Sequence, residues 1–215
     1  MKISVLIPTK NEPLINELIE EIHLVLKNFN HEIIVIDKSD VVPDIKNAKL
    51  VIQKSDGLGK AVLEGLSHIS GDTVVTMDGD FSHDPIDLPK LIEESKNVDI
   101  VIGSRFILGG KTTDETHRKF ISKVYRRLAS LILGVNVKDS MSGFSVVRKR
   151  VYDTLKLNPI GYKINLEIMY KSEKYGFQIK EVPVNFTKRK AGKSKAGIKE
   201  AIRTLFFILK LRLLV

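Results

Sequence analysis

The sequence predicts an α/β domain built on a mostly parallel sheet flanked by helices, and three observations support this. Short apolar segments alternate with amphipathic segments through the first half of the chain. The apolar segments are continuous rather than alternating, as in strands that are covered on both faces. The chain has 215 residues and 43% hydrophobic content, which is enough for one complete core. Strand–helix alternation of this kind favours parallel strands joined by right-handed crossovers.

Five strands are predicted in the first half of the chain and one near its C-terminus. Their segments are rich in Val and Ile and are bounded by polar, Gly or Pro residues. They cover residues 3–8, 32–38, 49–53, 73–78, 98–104 and 180–186. Parallel sheets bind ligands at the carboxyl ends of their strands. The polar segments 9–12, 37–40 and 78–80 follow three of these strands, so we expect them at one site.

Helices are predicted between the strands of the first half, over 12–27, 58–68 and 86–96. Glu12-Pro13, Gly57 with Gly59, and Pro85 mark their starts. No second domain is indicated, because the same strand–helix rhythm continues to residue 105.

The pattern changes after residue 105. Segment 107–117 has the composition of a mobile loop, and 187–197 that of a basic loop. An amphipathic helix is predicted over 118–133, and we expect its apolar side to pack against the sheet. That side consists of Ile121, Val124, Tyr125, Leu128, Leu131 and Ile132.

The last helix, 198–215, is predicted to be amphipathic and to follow a domain that covers 1–197. One stripe carries Lys199, Arg203 and Lys210, and another carries Ile202, Leu205, Phe206 and Leu209. A basic amphipathic helix suits a membrane interface, where its cations lie near anionic headgroups. Packing against the sheet is the alternative. The apolar end at Val215 leaves open that membrane spans follow.

The charge is divided unequally between the halves of the chain. Residues 1–107 carry 11 Lys/Arg against 18 Asp/Glu, a net of −7, and the formal charge of the whole chain is +9. The second half is therefore strongly basic, with a net of +16. This asymmetry indicates cation binding in the first half and phosphates or anionic surfaces in the second. A solvated Lys-rich surface is the alternative.

Compartment is indicated by what the sequence lacks. With no cysteine, disulfides and thiolate metal sites are excluded, which fits a reducing environment. The apolar part of the N-terminus is too short for a signal peptide, and no run of about 18 apolar residues occurs. We expect a peripheral protein on the cytoplasmic side of a membrane.

Two acids, Asp78 and Asp80, follow the fourth predicted strand with Gly79 between them. On a regular strand, carboxylates at these positions would point to opposite faces. We expect Gly79 to break the alternation by adopting backbone angles that other residues resist, so that both acids face one ligand. Carboxylates bind Mg²⁺ and Mn²⁺, which also bind substrate phosphates. A polar turn that caps the next helix is the alternative.

Two further polar residues have open roles. His83 is either a metal ligand or a residue at the start of the next helix, beside Pro85. Asp139 is either catalytic or the cap of the turn that its segment "DSMSG" predicts.

An ordered set of motifs covers nearly the whole chain. It runs through "PTKNE" (8–12), "VIDKSD" (35–40), "GLGKAVLEG" (57–65), "DGDFSHDP" (78–85), "GSRF" (103–106), "RKFIS" (118–122), "DSMSGFSVVRKRV" (139–151), "EVPVNF" (181–186) and "RKAGKSK" (189–195). In this order the chain resembles the A-type, family 2 glycosyltransferases. Within them it resembles the dolichol-phosphate mannose synthases and related polyprenyl-phosphate glycosyltransferases. The resemblance implies a single Rossmann-like nucleotide-diphospho-sugar transferase (GT-A) domain.

The resemblance implies a binding site for a nucleotide-sugar donor. The base and ribose would be held by Pro8, Thr9, Glu12 and Asp37, and the metal and diphosphate by Asp78 and Asp80. Three residues depart from the family pattern. Lys10 stands where an aromatic is frequent, Lys38 replaces the second acid of an Asp pair, and Gly79 replaces a common alanine, which we expect to be harmless.

The resemblance also implies a set of phosphate and acceptor contacts. They comprise Arg105, Arg118, Arg189, Ser194 and Lys195. Of the implied residues, those with a catalytic role would be Asp80, Arg105 and Arg118.

The implied reaction is inverting transfer of a hexose, mannose from GDP-mannose, to dolichyl or polyprenyl phosphate, assisted by Mg²⁺ or Mn²⁺. A phosphate acceptor is already ionised near pH 7, because its second pKa is about 6. It therefore needs cations that bring two anions together rather than a strong base. A hydroxyl acceptor would need a carboxylate base, for which Asp139 is the candidate.

Two other functions stay open. One is the same chemistry with a UDP-sugar, glucose or similar, and the other is a non-catalytic partner subunit of such an enzyme. A nucleic-acid partner is not expected, because the basic loop 187–197 contains no aromatic residue for stacking on bases.

Overall fold

The computed structural model contains one seven-stranded sheet with helices packed on both faces. The structure describes residues 1–113, 116–161, 163–187 and 198–214, and within these ranges the side chains of 116–121, 198–202 and 214 are not described. Two apolar clusters, one on each face of the sheet, form the core. The α/β class predicted from the strand–helix rhythm is therefore confirmed.

The main sheet has the strand order β3-β2-β1-β4-β7-β5-β8. Its strands, in chain order, are β1 (Ile3–Thr9), β2 (His31–Asp37), β3 (Lys49–Ile52), β4 (Thr73–Thr76), β5 (Ile100–Ser104), β7 (Ser145–Arg148) and β8 (Ile179–Pro183). Two short strands, β6 (Lys111–Thr112) and β9 (Asn185–Phe186), pair with each other beside it. The predicted strand 180–186 is thus divided between the two sheets.

One strand runs against the others. The pairs β1–β2, β1–β4, β2–β3 and β5–β8 are parallel, whereas β7 is antiparallel to both of its neighbours, β4 and β5. Ser145 pairs with Thr76 of β4 and with Ile102 of β5. The amino end of β7 therefore lies at the same edge as the carboxyl ends of its neighbours. The segment before Ser145 reaches the edge where ligands were expected.

Seven α-helices are found in the described part of the chain. They are α1 (Ile15–Val25), α2 (Leu58–Leu66), α3 (Leu88–Glu94), α4 (Thr116–Leu133), α5 (Lys149–Thr154), α6 (Ile164–Lys174) and α7 (Ile198–Leu214), and a 3-10 turn, Pro85–Asp87, precedes α3. The side chain of Asp84 accepts a hydrogen bond from the backbone N–H of Ile86 and so caps this turn. None of the described helices is both long enough and apolar enough to cross a membrane.

Alternation along the strands divides the core. Leu6 of β1 packs into the cluster on the side of α2 and α6, whereas its neighbours Val5 and Ile7 pack into the cluster with α1 and α3. This is the period-2 pattern that a strand covered on both faces produces. β3 is the exception to the predicted burial. Both of its end residues, Lys49 and Ile52, are exposed because it lies at an edge of the sheet.

Helix α4 only partly follows the predicted apolar side. Tyr125, Leu128 and Ile132 pack against the core, but Val124 is exposed and Leu131 is 83% exposed. Ala129 and Leu133 are buried instead. The core covers a narrower face of α4 than predicted, so Val124 and Leu131, at the margin of the predicted apolar side, are exposed to solvent.

Helix α7 is apolar on two sides. Thr204, Phe207, Ile208 and Leu211 are buried, and the three apolar residues among them belong to the same core cluster as α4. The predicted apolar stripe lies on the other side and is exposed at Leu205, Phe206 and Leu209, while the side chain of its fourth member, Ile202, is not described. Leu213, which follows on this side, is exposed as well. The helix thus contributes one face to the core and presents a second apolar face outward. A domain boundary at residue 197 stays a prediction.

This arrangement predicts unequal effects for two adjacent aromatic residues. Phe207 is 1% exposed and Phe206 is 62% exposed. We expect Phe207→Ala to lower the free energy of unfolding by about 3–5 kcal/mol, because it removes a buried ring and leaves a cavity. The control Phe206→Ala should change it by about 0.5 kcal/mol or less. Urea unfolding of both variants measures the difference, and similar losses would mean that α7 does not dock through Phe207.

Candidate active site

A cleft lies at the carboxyl ends of β1 and β2. It has a volume of about 270 Å³, and nine residues line it: Thr9, Asn11, Glu12, Pro13, Ile15, Asp37, Ser39, Val41 and Pro43. Three of the four residues implied for the base and ribose are thus brought together. Pro8 is not among the lining residues, since it precedes Thr9 in β1 and successive strand residues face opposite ways.

Asp37 is buried at the bottom of this cleft and is held by short hydrogen bonds. Its Oδ1 accepts from the hydroxyls of Thr9 (2.9 Å) and Ser39 (2.6 Å), and its Oδ2 accepts from the backbone N–H of Ser39 (2.9 Å). Thr9 and Asp37 are paired residues of adjacent parallel strands. The strand register therefore fixes the position of this carboxylate before any ligand is bound.

Asn11 belongs to segment 9–12, which was expected at this site, but no role was predicted for its side chain. Its side chain accepts a hydrogen bond from the backbone N–H of Asp40 (3.0 Å) and donates one to the Asp40 carboxylate (2.8 Å). Its φ of 57° is in the left-handed region, which Asn tolerates better than most residues. The signal that could have found it is an Asn directly after a strand and a short polar turn.

The two lysines that depart from the family pattern point to acids outside the lining of the cleft. Lys38 donates to the carboxylate of Asp56 (2.6 Å) and to the carbonyl of Ser55 (2.7 Å). Lys10 is exposed, with its Nζ 4.0 Å from a carboxylate oxygen of Asp40. An exposed pair at this distance contributes little stability. Through its hydrogen bonds to Ser55 and Asp56, Lys38 connects the end of β2 to the loop before α2.

The two acids of the predicted metal site, Asp78 and Asp80, lie in a turn after β4 that we call the acid turn. Asp80 is buried, and its Oδ1 accepts a hydrogen bond from the backbone N–H of Ser82 (2.9 Å). Asp78 is partly exposed, and its carboxylate lies beside Gly143 in the segment that precedes β7. Phe81 has a φ of 62°, so the reversal of the chain occurs there.

Gly79 has a different role from the expected one. It does not have a positive φ; Phe81 does. A Cβ on Gly79 would lie 2.8 Å from Cγ2 of Thr9, which is closer than real Cβ contacts. The glycine is needed because the turn after β4 passes close to the end of β1. An alanine here would require a shift of the turn or of the Thr9 side chain, whereas the glycine fits without one, and its harmlessness relative to the family's alanine stays a prediction.

His83 supports the acid turn from behind. It is buried, its Nδ1 accepts a hydrogen bond from the backbone N–H of Asp78 (3.0 Å), and its ring stacks on Phe144 at 4.8 Å. Burial lowers its pKa against the opposing effect of the nearby carboxylates of Asp78 and Asp80. The neutral ring with Nδ1 as acceptor carries its proton on Nε2. It therefore offers no lone pair to a metal, and its place directly before the capping Asp84 agrees with the helix-start alternative.

The acids fit a hard cation. The hydroxyl of Ser82, two residues after Asp80, is buried and has no hydrogen-bond partner among the residues that the structure describes. A buried hydroxyl of this kind needs a partner, which a bound cation or its water would provide. Oxygen ligands suit Mg²⁺ and Mn²⁺. No group of three or more His, Cys, Asp or Glu with metal-site geometry occurs in the described ranges.

Arg105 and Asp139 form a buried ion pair at the end of β5. Nε of Arg105 donates to Oδ2 (2.8 Å) and its terminal nitrogen to Oδ1 (2.9 Å), while the backbone N–H of Arg105 also donates to Oδ2 (2.9 Å). Asp139 is 0% exposed. Its side chain therefore caps no turn, because the hydrogen bond from Ser142 goes to its backbone carbonyl. It orients the guanidinium in two-point geometry.

Two other elements hold this pair in place. The carboxylate of Glu181 in β8 accepts hydrogen bonds from the backbone N–H groups of Lys138 and Asp139, both at 2.9 Å. The hydroxyl of Ser142 donates to the carbonyl of Gly103 (2.7 Å). These contacts tie the segment before β7 to β5 and β8. No local pattern indicated the role of Glu181, because its partners lie more than 40 residues away along the chain.

The sequence profile described as "Glycosyl transferase family 2" matches residues 4–156, which is most of the chain. The chain belongs to this family. The resemblance noted in the sequence is thus confirmed, and the matched range includes the cleft, the acid turn and the buried pair.

Relatives of this family 2 chain include named prenyl-phosphate transferases. A dolichol-phosphate mannosyltransferase of Pyrococcus furiosus is 39% identical, over 98% of this chain and 64% of its own length. An undecaprenyl-phosphate mannosyltransferase of Micrococcus luteus is 35% identical, over 65% of this chain and 60% of its own. The chain thus spans about three fifths of the length of these curated relatives.

A solved structure shows that the fold is that of known GT-A enzymes. Glucosyl-3-phosphoglycerate synthase of Mycobacterium tuberculosis, in complex with Mn²⁺, UDP and phosphoglyceric acid, superposes with a TM-score of 0.76. The match covers 98% of this chain and 78% of that one at 22% identity. The predicted GT-A domain of this family 2 chain is therefore confirmed as a fold.

For four of the implied phosphate contacts, the structure describes no side chain. Arg118 is in α4, but its side chain is not described, and Arg189, Ser194 and Lys195 are outside the described residues. The described range that precedes residues 188–197 ends at Thr187, beside the acid turn. Thr187 donates hydrogen bonds to the carbonyls of Ser82 (3.0 Å) and Phe81 (3.1 Å). The basic segment therefore begins in sequence directly after a residue that contacts this turn.

The buried pair predicts a large stability loss when its acid is neutralised. In Asp139→Asn, Arg105 keeps its charge but loses its partner, and we expect the free energy of unfolding to fall by about 3 kcal/mol or more. The control Asp153→Asn breaks an exposed pair with Lys149 and should cost about 0–1 kcal/mol. Urea unfolding at neutral pH compares them. Equal, small losses would contradict a buried pair.

Proposed function

We propose that this chain is the catalytic domain of a metal-assisted, inverting glycosyltransferase. It moves a hexose, mannose from GDP-mannose, onto dolichyl or polyprenyl phosphate. Support comes from the family assignment and from the names of the relatives, which are mannosyltransferases acting on prenyl phosphates. The identities of the donor and the acceptor are argued below from the residues of this chain.

The burial and the hydrogen bonds of Asp139 are the main support for a phosphate acceptor. It is the carboxylate that a hydroxyl acceptor would need as a base, yet it is fully buried and both of its oxygens accept hydrogen bonds from Arg105. Both oxygens are thus occupied by the guanidinium and are shielded from solvent, so this carboxylate is not placed to take a proton from an acceptor hydroxyl. An acceptor that is already ionised needs no such base. The site thus favours a phosphate nucleophile over a hydroxyl.

Arg105 is the described residue that we assign to the phosphates. Asp139 fixes the plane of its guanidinium, and the rings of Phe106 and Phe186 lie 5.1 and 4.9 Å from it. A guanidinium oriented in advance stabilises the two anionic groups that must approach each other. Arg118, Arg189, Ser194 and Lys195 are proposed to complete this set on the strength of the family resemblance.

Asp78 and Asp80 are assigned to the donor diphosphate. A divalent cation held there would act as a Lewis acid and stabilise the charge of the departing nucleotide diphosphate. The chain's own contribution is the geometry: His83 fixes the backbone of Asp78, and the N–H of Ser82 orients Asp80. The Mn²⁺ and Mg²⁺ in the superposed synthase structures support this assignment.

The cleft next to this turn is assigned to the base and ribose of the donor, with Thr9, Glu12 and Asp37, which line it, as proposed contacts. Pro8, which does not line it, is proposed only to position Thr9 within β1. A UDP-sugar, with glucose as the sugar, is the second candidate donor. It is favoured by one specific observation, the UDP-glucose bound in a synthase of the same fold. The lysine at position 38, which points away to Asp56, leaves Asp37 as the acid of this pair that lines the cleft.

The outward face of α7 supports a membrane partner. Leu205, Phe206, Leu209 and Leu213 form an exposed apolar face, and the exposed Arg203 and Arg212 lie on the same helix. Exposed apolar residues beside cations suit an interface with anionic headgroups. We propose that this face rests on the membrane that contains the prenyl-phosphate acceptor, on its cytoplasmic side.

An assay of transfer tests the proposal directly. Purified protein with Mn²⁺ is incubated with dolichyl phosphate and, separately, with each of several radiolabelled nucleotide sugars. Label extracted into organic solvent measures the product. We expect label from GDP-mannose that disappears with a chelator. Label from UDP-glucose alone would select the second donor, and absence of label from every donor would reject the chain as a sufficient catalyst.

Neutralising one acid of the turn should abolish the reaction. Asp80→Asn keeps the acceptor for the N–H of Ser82 but removes the charge, so we expect turnover to fall about 100-fold or more with an unchanged fold. Asp84→Asn is the matched control, because it keeps the cap of the 3-10 turn in the same loop. The transfer assay and circular dichroism measure the two effects. Equal turnover in both variants would remove the metal assignment.

Changing the outward face of α7 should weaken membrane binding without unfolding the chain. Phe206→Glu with Leu213→Glu places two charges on this face, and we expect less protein to sediment with liposomes. Leu24→Glu with Ile86→Glu adds the same charge at two exposed apolar positions elsewhere. Deletion of 198–215 is less informative, because it also removes buried Phe207. Equal sedimentation of both double variants would count against the membrane face.

A further inference from the structure

A second cleft is lined by Phe106, whose ring also lies near the guanidinium of Arg105. It has a volume of about 280 Å³ and is formed by α4 and the segment that follows it. The residues that matter here are Phe106, Lys123, Arg126, Arg127, Asn136 and Lys138. We call it the Arg126 pocket. Its volume is close to the lower end, about 300 Å³, of small-molecule sites.

Arg126 is held rigidly in the wall of this pocket. One terminal nitrogen donates to the carbonyl of Lys138 (2.7 Å), and the guanidinium lies 3.6 Å from the centre of the Phe106 ring. Its Nε is buried and has no hydrogen-bond partner within the described part of the chain. A buried donor without a partner is costly, so a ligand that accepts from it would be stabilised.

The pocket concentrates positive charge. Lys123, Arg126, Arg127 and Lys138 all line it, and no acid is among the described residues that do. Burial lowers the pKa of Arg126, and the neighbouring Arg105 and Arg127 act in the same direction. Like charges at close range destabilise one another unless a counter-charge lies between them. A bound anion would supply that charge.

The nearby carboxylates already have other partners. Asp139 binds Arg105, and Glu181 accepts from the backbone N–H groups of Lys138 and Asp139. Glu173 accepts from the backbone N–H of Asn136 (3.2 Å). Asp139 and Glu181 partly offset the charge of Arg126. The hydrogen bonds of all three carboxylates go to Arg105 or to backbone N–H groups, two of which belong to the lining residues Asn136 and Lys138. A bound anion would add counter-charge for the side chains of the four cations.

We propose that the Arg126 pocket is a second phosphate-binding site, distinct from the acid turn. A group with more than one negative oxygen can accept from a planar guanidinium and from lysines at once, which a single carboxylate does less well. The phosphate is carried either by the headgroup of an anionic membrane lipid or by a free phosphate ion. The site does not depend on the proposed transfer, because none of its residues belongs to the nucleotide cleft or the acid turn.

The test removes two exposed cations of the pocket and compares a charge-matched control. Lys123→Gln with Arg127→Gln keeps Arg126 and helix-forming residues, so the fold is expected to persist. Lys27→Gln with Lys54→Gln removes the same charge from exposed positions in the acidic half. Inorganic phosphate is titrated at constant ionic strength, and the NMR signal of the Arg126 Nε–H is followed. Sedimentation with phosphatidylcholine vesicles, with and without phosphatidylglycerol, forms the second arm.

We expect the pocket variant to bind its phosphate source at least about tenfold more weakly than the control, since the loss of even one contact to a charged group weakens binding by about this factor. A loss confined to the titration identifies free phosphate as the ligand, and a loss confined to phosphatidylglycerol vesicles identifies a lipid headgroup. Equal behaviour of both variants in both arms overturns the proposal. Neither arm contains a sugar donor or a prenyl phosphate, so this result is independent of the proposed function.

Discussion

The ion pair between Arg105 and Asp139 is the interaction on which the arrangement of the site depends. A cation this far from water needs a counter-charge in fixed geometry, and Asp139 provides it through two oxygens. The backbone around Asp139 is in turn fixed by Glu181. The pair therefore determines where the guanidinium of Arg105 points, and the ring of Phe106 lies near this guanidinium and that of Arg126.

The antiparallel strand β7 explains how Asp139 reaches this place. In a sheet of parallel strands, the segment before a strand lies at the edge opposite to the ligand-binding edge. Because β7 runs the other way between β4 and β5, the segment before it lies at the edge where those strands end. It meets the carboxylate of Asp78 through Gly143 and the end of β5 through Ser142. One reversed strand thus joins the acidic and the basic sides of the site.

The unequal charge of the two halves corresponds to this geometry. The acidic half supplies the buried Asp37 and the turn with Asp78 and Asp80. The basic half supplies α4 with the cations of the Arg126 pocket, and α7 with its exposed apolar face. The proposed reaction, between two anionic groups beside a membrane, would need metal-binding acids on one side and cations on the other. The buried pair is where the two sides meet.

The sequence alone determined the α/β class, the positions along the chain of β1 to β5 and β8, and the two acids that follow β4, but it did not indicate β7. Continuous apolar segments and the polar residues after them are local signals, readable without a structure. Only the tertiary structure decided that β7 is reversed, that Gly79 is needed for its contact with Thr9, and that Asp139 is bound by Arg105. It also decided which side of α7 is buried, because both sides are apolar. These features depend on residues far apart in the chain, and local patterns carry no information about such contacts.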